Sequence, residues 1–286
     1  MRRNAFLGAT GAAMLWPGGV RAGRLDDQIA RAAAASSGVV GLYARKLSGS
    51  TPVTYNADEV FPTASVIKLV VLVSLFQYAE TTPGVMQHRI TVQLGDFVGG
   101  SEVLDAYSPG SSLSIDTLAH AMIEQSDNTA SNVLISYLGF ERIGRTIERA
   151  GLHNTHLRRH FMNTSGPGHR SENLTTARDM GTLLYAVERG AHEAVATVAS
   201  PRSCRQMIDI LLRQEDRDKI ARGLPRGVPL ANKTGEIDGV RNDIGIVDPY
   251  GDSPYVIAVL TKDLGDFSLG NMAIRRIARA VHSALY

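Results

Sequence analysis

The sequence predicts an α/β fold in which a single sheet, built from the two ends of the chain, is interrupted by an all-helical insertion. Three observations carry this expectation. Strand-like segments occur near the two ends only, at 39–56 and again at 230–262. Between them, from residue 66 to 213, apolar residues recur at helical spacing. A chain of 286 residues with 44% hydrophobic and 20% charged side chains is long enough for one large core and has an ordinary globular composition. Strands at both ends can share a sheet only if the ends meet. Residues 23–60 and 214–286 are therefore expected to form an α/β lobe and residues 61–213 a helical lobe, together one domain over 23–286. A cleft between two such lobes is a natural ligand site.

The elements follow in order. Residues 1–22, MRRNAFLGATGAAMLWPGGVRA, combine an arginine pair, an uncharged stretch from Ala5 to Trp16, a helix-breaking Pro17-Gly18-Gly19 and an A-x-A-like Val20-Arg21-Ala22. This reads as a signal peptide, and Arg2-Arg3 with Phe6-Leu7 resembles a twin-arginine export signal. A periplasmic or secreted location is expected. Leu25 to Ala35 suits a short amphipathic helix, and 39–47 with 51–56, flanking Ser48-Gly49-Ser50, reads as a β-hairpin. Helices are expected over Val66–Ala79, Ile115–Gln125, Thr129–Leu138, Glu141–Ala150, Thr175–Arg189 and Pro201–Arg213. Strands return at 230–235, 240–248 and 255–262, and an amphipathic helix from Ser268 to Leu285 closes the chain.

Charge and cysteine content exclude several classes. Of the 30 basic residues three lie within residues 1–22, so the remainder carries 27 basic against 28 acidic residues, and the basic bias belongs to the leader. No run of lysine and arginine with interleaved aromatics suggests nucleic acid. The apolar part of the leader is too short to span a bilayer, and no other stretch is expected to do so. One cysteine, Cys204, excludes an intramolecular disulfide framework and reads as a buried small apolar residue. His153, His156 and His160 lie beside Arg158 and Arg159, which repel a cation, and form no H-E-x-x-H, so no metal is expected.

Three short motifs carry the chemistry: Ser65-Val66-Ile67-Lys68, Ser126-Asp127-Asn128 and Lys233-Thr234-Gly235. S-x-x-K alone is ordinary and reads equally as a capping serine with a solvated lysine. Each of the two tripeptides recurs by chance on the order of a few times in a hundred such chains, so all three in order is a specific signal. Ser65 is placed where a helix begins, so its N–H and the helix dipole favour an oxyanion nearby. Lys68 lies one turn on along the same face, within expected reach of the Ser65 hydroxyl, and a desolvated lysine among like charges can act as a base. The Ser126 hydroxyl can pass a proton to a leaving nitrogen, Asn128 offers an amide to a substrate carbonyl, and Asp127 reads as structural. Lys233 and Thr234 are expected to bind a substrate carboxylate. Gly235 lets a substrate backbone approach, and the Glu236 N–H can complete an oxyanion hole with that of Ser65. Arg241 is a second possible cation for that carboxylate, or simply an exposed strand arginine.

With these motifs, and with FPTASVIK, SDNTASNVLI and KTGEIDGVRNDIGIV around them, the sequence resembles the penicillin-recognising serine hydrolases, and within them the class A β-lactamase-like family, from about Leu25 to the C-terminus. The resemblance implies a mainly antiparallel sheet flanked by helices, no cofactor, and a mechanism in which Ser65 attacks a β-lactam or D-alanyl amide, forms an acyl-enzyme and is released by water. The implied partners are small molecules, a β-lactam or a peptidoglycan stem peptide, with the protein acting as a monomer. One departure stands out. The family's loop glutamate, in an E-x-x-L-N pattern, is missing from Leu157–Asn163, and Phe161 or Met162 stands about where it is expected. The pattern is similar to the subgroup, including some D,D-peptidases, that lacks this acid. Losing a positioned base forfeits roughly 10²- to 10⁴-fold in rate, so acylation can outlast deacylation. Glu172 is the nearest substitute carboxylate, with His160 and His169 in the same loop. The leading reading is an exported serine hydrolase that cleaves β-lactam amides through a Ser65 acyl-enzyme; the alternatives are a D,D-peptidase-type hydrolase that is acylated by penicillin but deacylates slowly and, behind it, a penicillin-binding sensor without turnover.

Overall fold

The structure, a computed structural model, describes residues 17–49, 51–163 and 171–286. Strands are β1 (Val39–Lys46), β2 (Val53–Tyr55), β3 (Val60–Pro62), β4 (Arg89–Thr91), β5 (Ser112–Ser114), β6 (Leu174–Thr176), β7 (Leu230–Ile237), β8 (Val240–Val247) and β9 (Tyr255–Lys262). Helices are α1 (Pro17–Ala34), α2 (Lys68–Thr81), α3 (Ile115–Glu124), α4 (Asn128–Leu138), α5 (Phe140–Arg149), α6 (Ala177–His192), α7 (Pro201–Leu211), α8 (Ile220–Gly223) and α9 (Phe267–Leu285). The two ends of the chain do meet. β1 pairs with β9 over its whole length, giving a five-stranded antiparallel sheet in the order β2-β1-β9-β8-β7.

Period-two alternation along the central strand gives the sheet two buried faces. Tyr255, Ile257 and Val259 of β9 point to a core shared with Ile29 of α1 and Ile274, Ile277 and Val281 of α9. Val256, Ala258 and Leu260 point the other way, into a larger core with α6 and the inserted helices. The centre of that larger core is α2, buried nearly all round from Leu69 to Leu75. By length and hydropathy alone (18 residues, mean 1.4), Ala64–Thr81 is apolar enough to cross a bilayer. The sequence reading expected no such stretch. Its apolar residues are explained by burial among the other helices.

Several boundaries differ from expectation, each for a local reason. α1 starts at Pro17, not Leu25, because proline at a first helical position lacks only an N–H that would be unpaired there anyway. The helix therefore contains residues 20–22, expected as a cleavage site. Residues 1–16, the rest of the expected leader, and His169 lie outside the described residues. Thr175 falls in β6 and not in a helix, because 174–176 pair with β3; α6 begins at Ala177, with the Thr176 hydroxyl accepting from the Asp179 N–H. The 3₁₀ turn Ala64–Ile67 precedes α2.

Candidate active site

Ser65 sits in that 3₁₀ turn, after Ala64 in the left-handed region at φ 45°. Two neighbours fix the turn. Asn242 of β8, completely buried, donates through Nδ2 to the carbonyls of Pro62 (2.9 Å) and Thr63 (3.1 Å), and the Thr63 N–H donates to the Asn173 carbonyl at 2.8 Å. β7, the edge strand, closes over the same turn. A Cβ on Gly235 would lie 2.8 Å from the Ser65 nitrogen and 3.0 Å from the Thr63 oxygen, which real Cβ atoms do not tolerate against backbone. Gly235 was expected to admit a substrate backbone; what it admits first is the backbone of the nucleophile's own turn.

Lys68 opens α2 and is fully buried. Its ammonium donates to the Ser126 carbonyl (2.5 Å), to Ser126 Oγ (3.2 Å) and to Asn128 Oδ1 (2.9 Å). The bond anticipated to the Ser65 hydroxyl is not among these. Lys233 of β7, equally buried, donates to Ser126 Oγ at 3.0 Å and to the Thr234 carbonyl at 2.8 Å. One hydroxyl thus links two lysines, and Ser126 itself takes φ 61°, a left-handed backbone that is uncommon outside glycine. Burial, reinforced by the charge of Lys233, lowers the Lys68 pKa well below its ordinary value. Burial lowers Lys233 to about 7 against the pull of Asp216 and Asp243. Burial thus weakens the hold of both lysines on their protons, and Ser126 Oγ lies between them.

The Ser126-Asp127-Asn128 segment divides its labour. Asp127, not Ser126, caps α4, accepting from the Ala130 N–H at 2.8 Å, and its other oxygen takes the N–H groups of Val103 and Leu104. The structural reading of Asp127 fits this. Asn128 gives Oδ1 to Lys68 and Nδ2 to the Gly99 carbonyl.

A cavity of about 280 Å³ on one side of Ser65 is lined by Asn128, Arg159, Phe161, Met162 and Glu172 among others. Glu172 bonds Arg159 at 2.7 Å, so its carboxylate is already partnered. Of the two residues expected near the missing glutamate's place, Met162 is exposed and Phe161 lies with its ring over the Lys68 nitrogen, 4.4 Å from the centroid. Its backbone is clamped by Asn132, which accepts from the Phe161 N–H (2.8 Å) and donates to its carbonyl (3.0 Å). His160 packs edge-on against Phe140 and pairs with Ser136, and burial lowers its pKa.

A second cavity of about 380 Å³ opens on the other side of Ser65, past Ser126, Thr234 and Gly235. Arg241 does not line it. Its guanidinium donates to the carbonyls of Ile237 and Val240 and stacks on Phe267, 4.0 Å from the ring centroid. Two buried lysines lie beneath this cavity: Lys233, bonded to Ser126 and Thr234, and Lys219, bonded to Asp216 and Glu236, which sequence reasoning missed because no pattern marks it and only the fold brings the 214–223 segment under β7. A further cleft of about 510 Å³, lined by α2, α3 and α7 residues such as Glu80, His120 and Arg202, contains none of the motif residues.

Residues 24–285 match the model of a family described as "Beta-lactamase enzyme family". The chain belongs to the beta-lactamase enzyme family. Among curated members it is 28% identical to a beta-lactamase from Streptomyces fradiae, over 98% of this chain and 92% of that one. Among solved structures, a beta-lactamase from Sphaerobacter thermophilus superposes with TM-score 0.81 at 29% identity, covering 91% of this chain and 96% of the other. A variant of PBP-A, solved as an acyl-enzyme complex with penicillin G, superposes equally well (0.81) at 30% identity, covering 92% and 96%. The fold of this family member is thus the mixed α/β architecture of class A beta-lactamases, with its antiparallel sheet flanked by helices.

Proposed function

We propose that this chain is a serine hydrolase that is acylated on Ser65 by β-lactams and by D-alanyl amides of peptidoglycan stem peptides, and that releases the acyl group slowly. Ser65 Oγ attacks the amide carbonyl, its proton passing to the Lys68–Ser126–Lys233 network. The Ser65 and Glu236 N–H groups stabilise the oxyanion, and Ser126 delivers the proton to the leaving nitrogen. Lys233 and Thr234 receive the substrate carboxylate. The observation that carries the slow step is Phe161: an aromatic ring over Lys68, its backbone clamped by Asn132, occupies the place where a water-activating carboxylate is needed. The penicillin G adduct of PBP-A supports the same chemistry in a similar fold.

A second reading, turnover of β-lactams with Glu172 as base, is favoured by Glu172 lining the same cavity as Ser65. Its bond to Arg159 weighs against it, because that bond already occupies a carboxylate oxygen that an attacking water would have to reach. We also take the chain to act outside the cytoplasm, on the strength of Arg2-Arg3 and the apolar stretch after them. The deciding experiment is an intact-mass time course after a pulse of penicillin G. The expected result is an adduct on wild type that persists for hours and is absent from Ser65→Ala. Loss within seconds with consumption of the drug would establish the second reading, and an equal adduct on Ser65→Ala would sink both.

A further inference from the structure

The cavity beyond Ser126 and Thr234 presents acid where the proposed reaction needs to receive a carboxylate. Lys219, on the segment leading into α8, is completely buried, and two carboxylates that line this cavity hold its ammonium: Asp216, and Glu236 at 2.6 Å. Burial alone would lower the Lys219 pKa, but its hydrogen bonds to Asp216 and Glu236 raise it above its ordinary value, so the cation is charged and fully engaged. The walls add Glu102, Glu124 and Glu215, and among the described residues lining the cavity there is no lysine or arginine. Arg241 gives its hydrogen bonds to backbone carbonyls instead.

With Asp216 and Glu236 both on its ammonium, Lys219 has no charge left to offer an incoming anion, and Lys233, the other cation beside the site, is already engaged by Ser126 Oγ and the Thr234 carbonyl; an anion meets the Glu236 charge unless that side chain moves. Asp216 is the better anchored: besides Lys219 it accepts the Asp218 N–H at 3.0 Å. Glu236 is held only by Lys219 and, at 3.7 Å, by Arg241, and its side chain is 45% exposed. It is the carboxylate free to turn out to solvent.

We propose that Glu236 is a specificity-determining residue, an internal competitor that occupies Lys219 and must leave before a substrate carboxylate can settle beside Thr234. The site accordingly reacts with β-lactams and D-alanyl amides, whose leaving groups carry that carboxylate, more slowly than the same site without the Glu236 charge. The inference rests on the acyl-enzyme reading above.

The test compares the second-order rate of Ser65 acylation by benzylpenicillin and by its methyl ester, in wild type and Glu236→Gln. Glutamine keeps the backbone N–H and the side-chain shape while removing the charge. The expected result is a ratio of acid rate to ester rate about tenfold higher in the variant than in wild type, since one like charge a few ångströms from a bound anion has an effect of at least that order. A ratio that stays level or falls, as when a gain is shared equally by acid and ester, would overturn the proposal, and the ester doubles as a control for folding. If neither compound labels Ser65 of wild type, the acyl-enzyme reading itself fails.

Discussion

Phe161 is the residue on which the balance between acylation and deacylation turns. Its ring lies over the Lys68 nitrogen and leaves no side chain there able to take a proton from water. Because Asn132 holds the Phe161 backbone from both sides, a new side chain at this position starts from the same place. Phe161→Glu is therefore expected to shorten the lifetime of the penicillin adduct by roughly 10²-fold, the usual worth of a positioned general base, whereas Phe161→Gln is expected to leave it long. The decay of the mass adduct measures both. A glutamate variant as slow as wild type would show that the absent carboxylate does not limit release. The position was legible in the sequence, because the stretch Leu157–Asn163 could be set against a known pattern and found to lack its acid. Lys219 was not legible. Nothing about a lysine three residues after Asp216 distinguishes it until β7 is laid over it, and Arg241, the more conspicuous cation, turns away to the carbonyls of its own hairpin.

The decisive contact between elements is the seam between β7 and the turn that carries Ser65. Asn242 on β8 anchors that turn through two carbonyls, while Gly235 on β7 lets the strand lie against it. Gly235→Ala places a methyl group 2.8–3.1 Å from three backbone atoms, the Ser65 nitrogen, the Thr63 oxygen and the Val66 nitrogen, and none can yield as a flexible side chain would. The strand or the turn must shift, and a misplacement of reacting groups by about 1 Å can cost on the order of 10² in rate. The acylation rate is expected to fall by about that factor while the protein remains folded, as read by circular dichroism. Unaltered acylation would mean that the seam does not set the geometry. Long elements with strong periodicity, such as β9 and α9, were readable in advance to within a residue or two at each end. The three-residue strands β3, β4, β5 and β6 were not, because such short segments have no period to detect and exist only by pairing with a partner distant in the chain. The four-residue α8 escaped for the same reason.

For the molecule as a whole, two cores on either side of one sheet supply the stability, and the larger encloses one uncompensated acid. Glu188 of α6 is 1% exposed, packed on the side of the helix that meets the rest of the protein, and its Oε2 has no hydrogen-bond partner among the described residues. Burial, with a smaller contribution from the charge of Asp248, raises its pKa from 4.5 to about 7. The folded state therefore binds this proton more tightly than the unfolded chain does. The stability it confers is fully present below pH 4.5 and is lost as pH rises through 7, in all by about 3 kcal/mol. Glu188→Gln cannot ionise, so it escapes that loss. Its extra N–H donors, buried at every pH, add only a constant offset. The expected outcome is that the stability of Glu188→Gln relative to wild type improves by up to about 3 kcal/mol between pH 4 and pH 8.5, measured by urea unfolding at each pH. If the difference between variant and wild type is the same at both ends of that range, Glu188 does not change its protonation on folding, and the acid must find a partner in solution that removes the penalty of burying it.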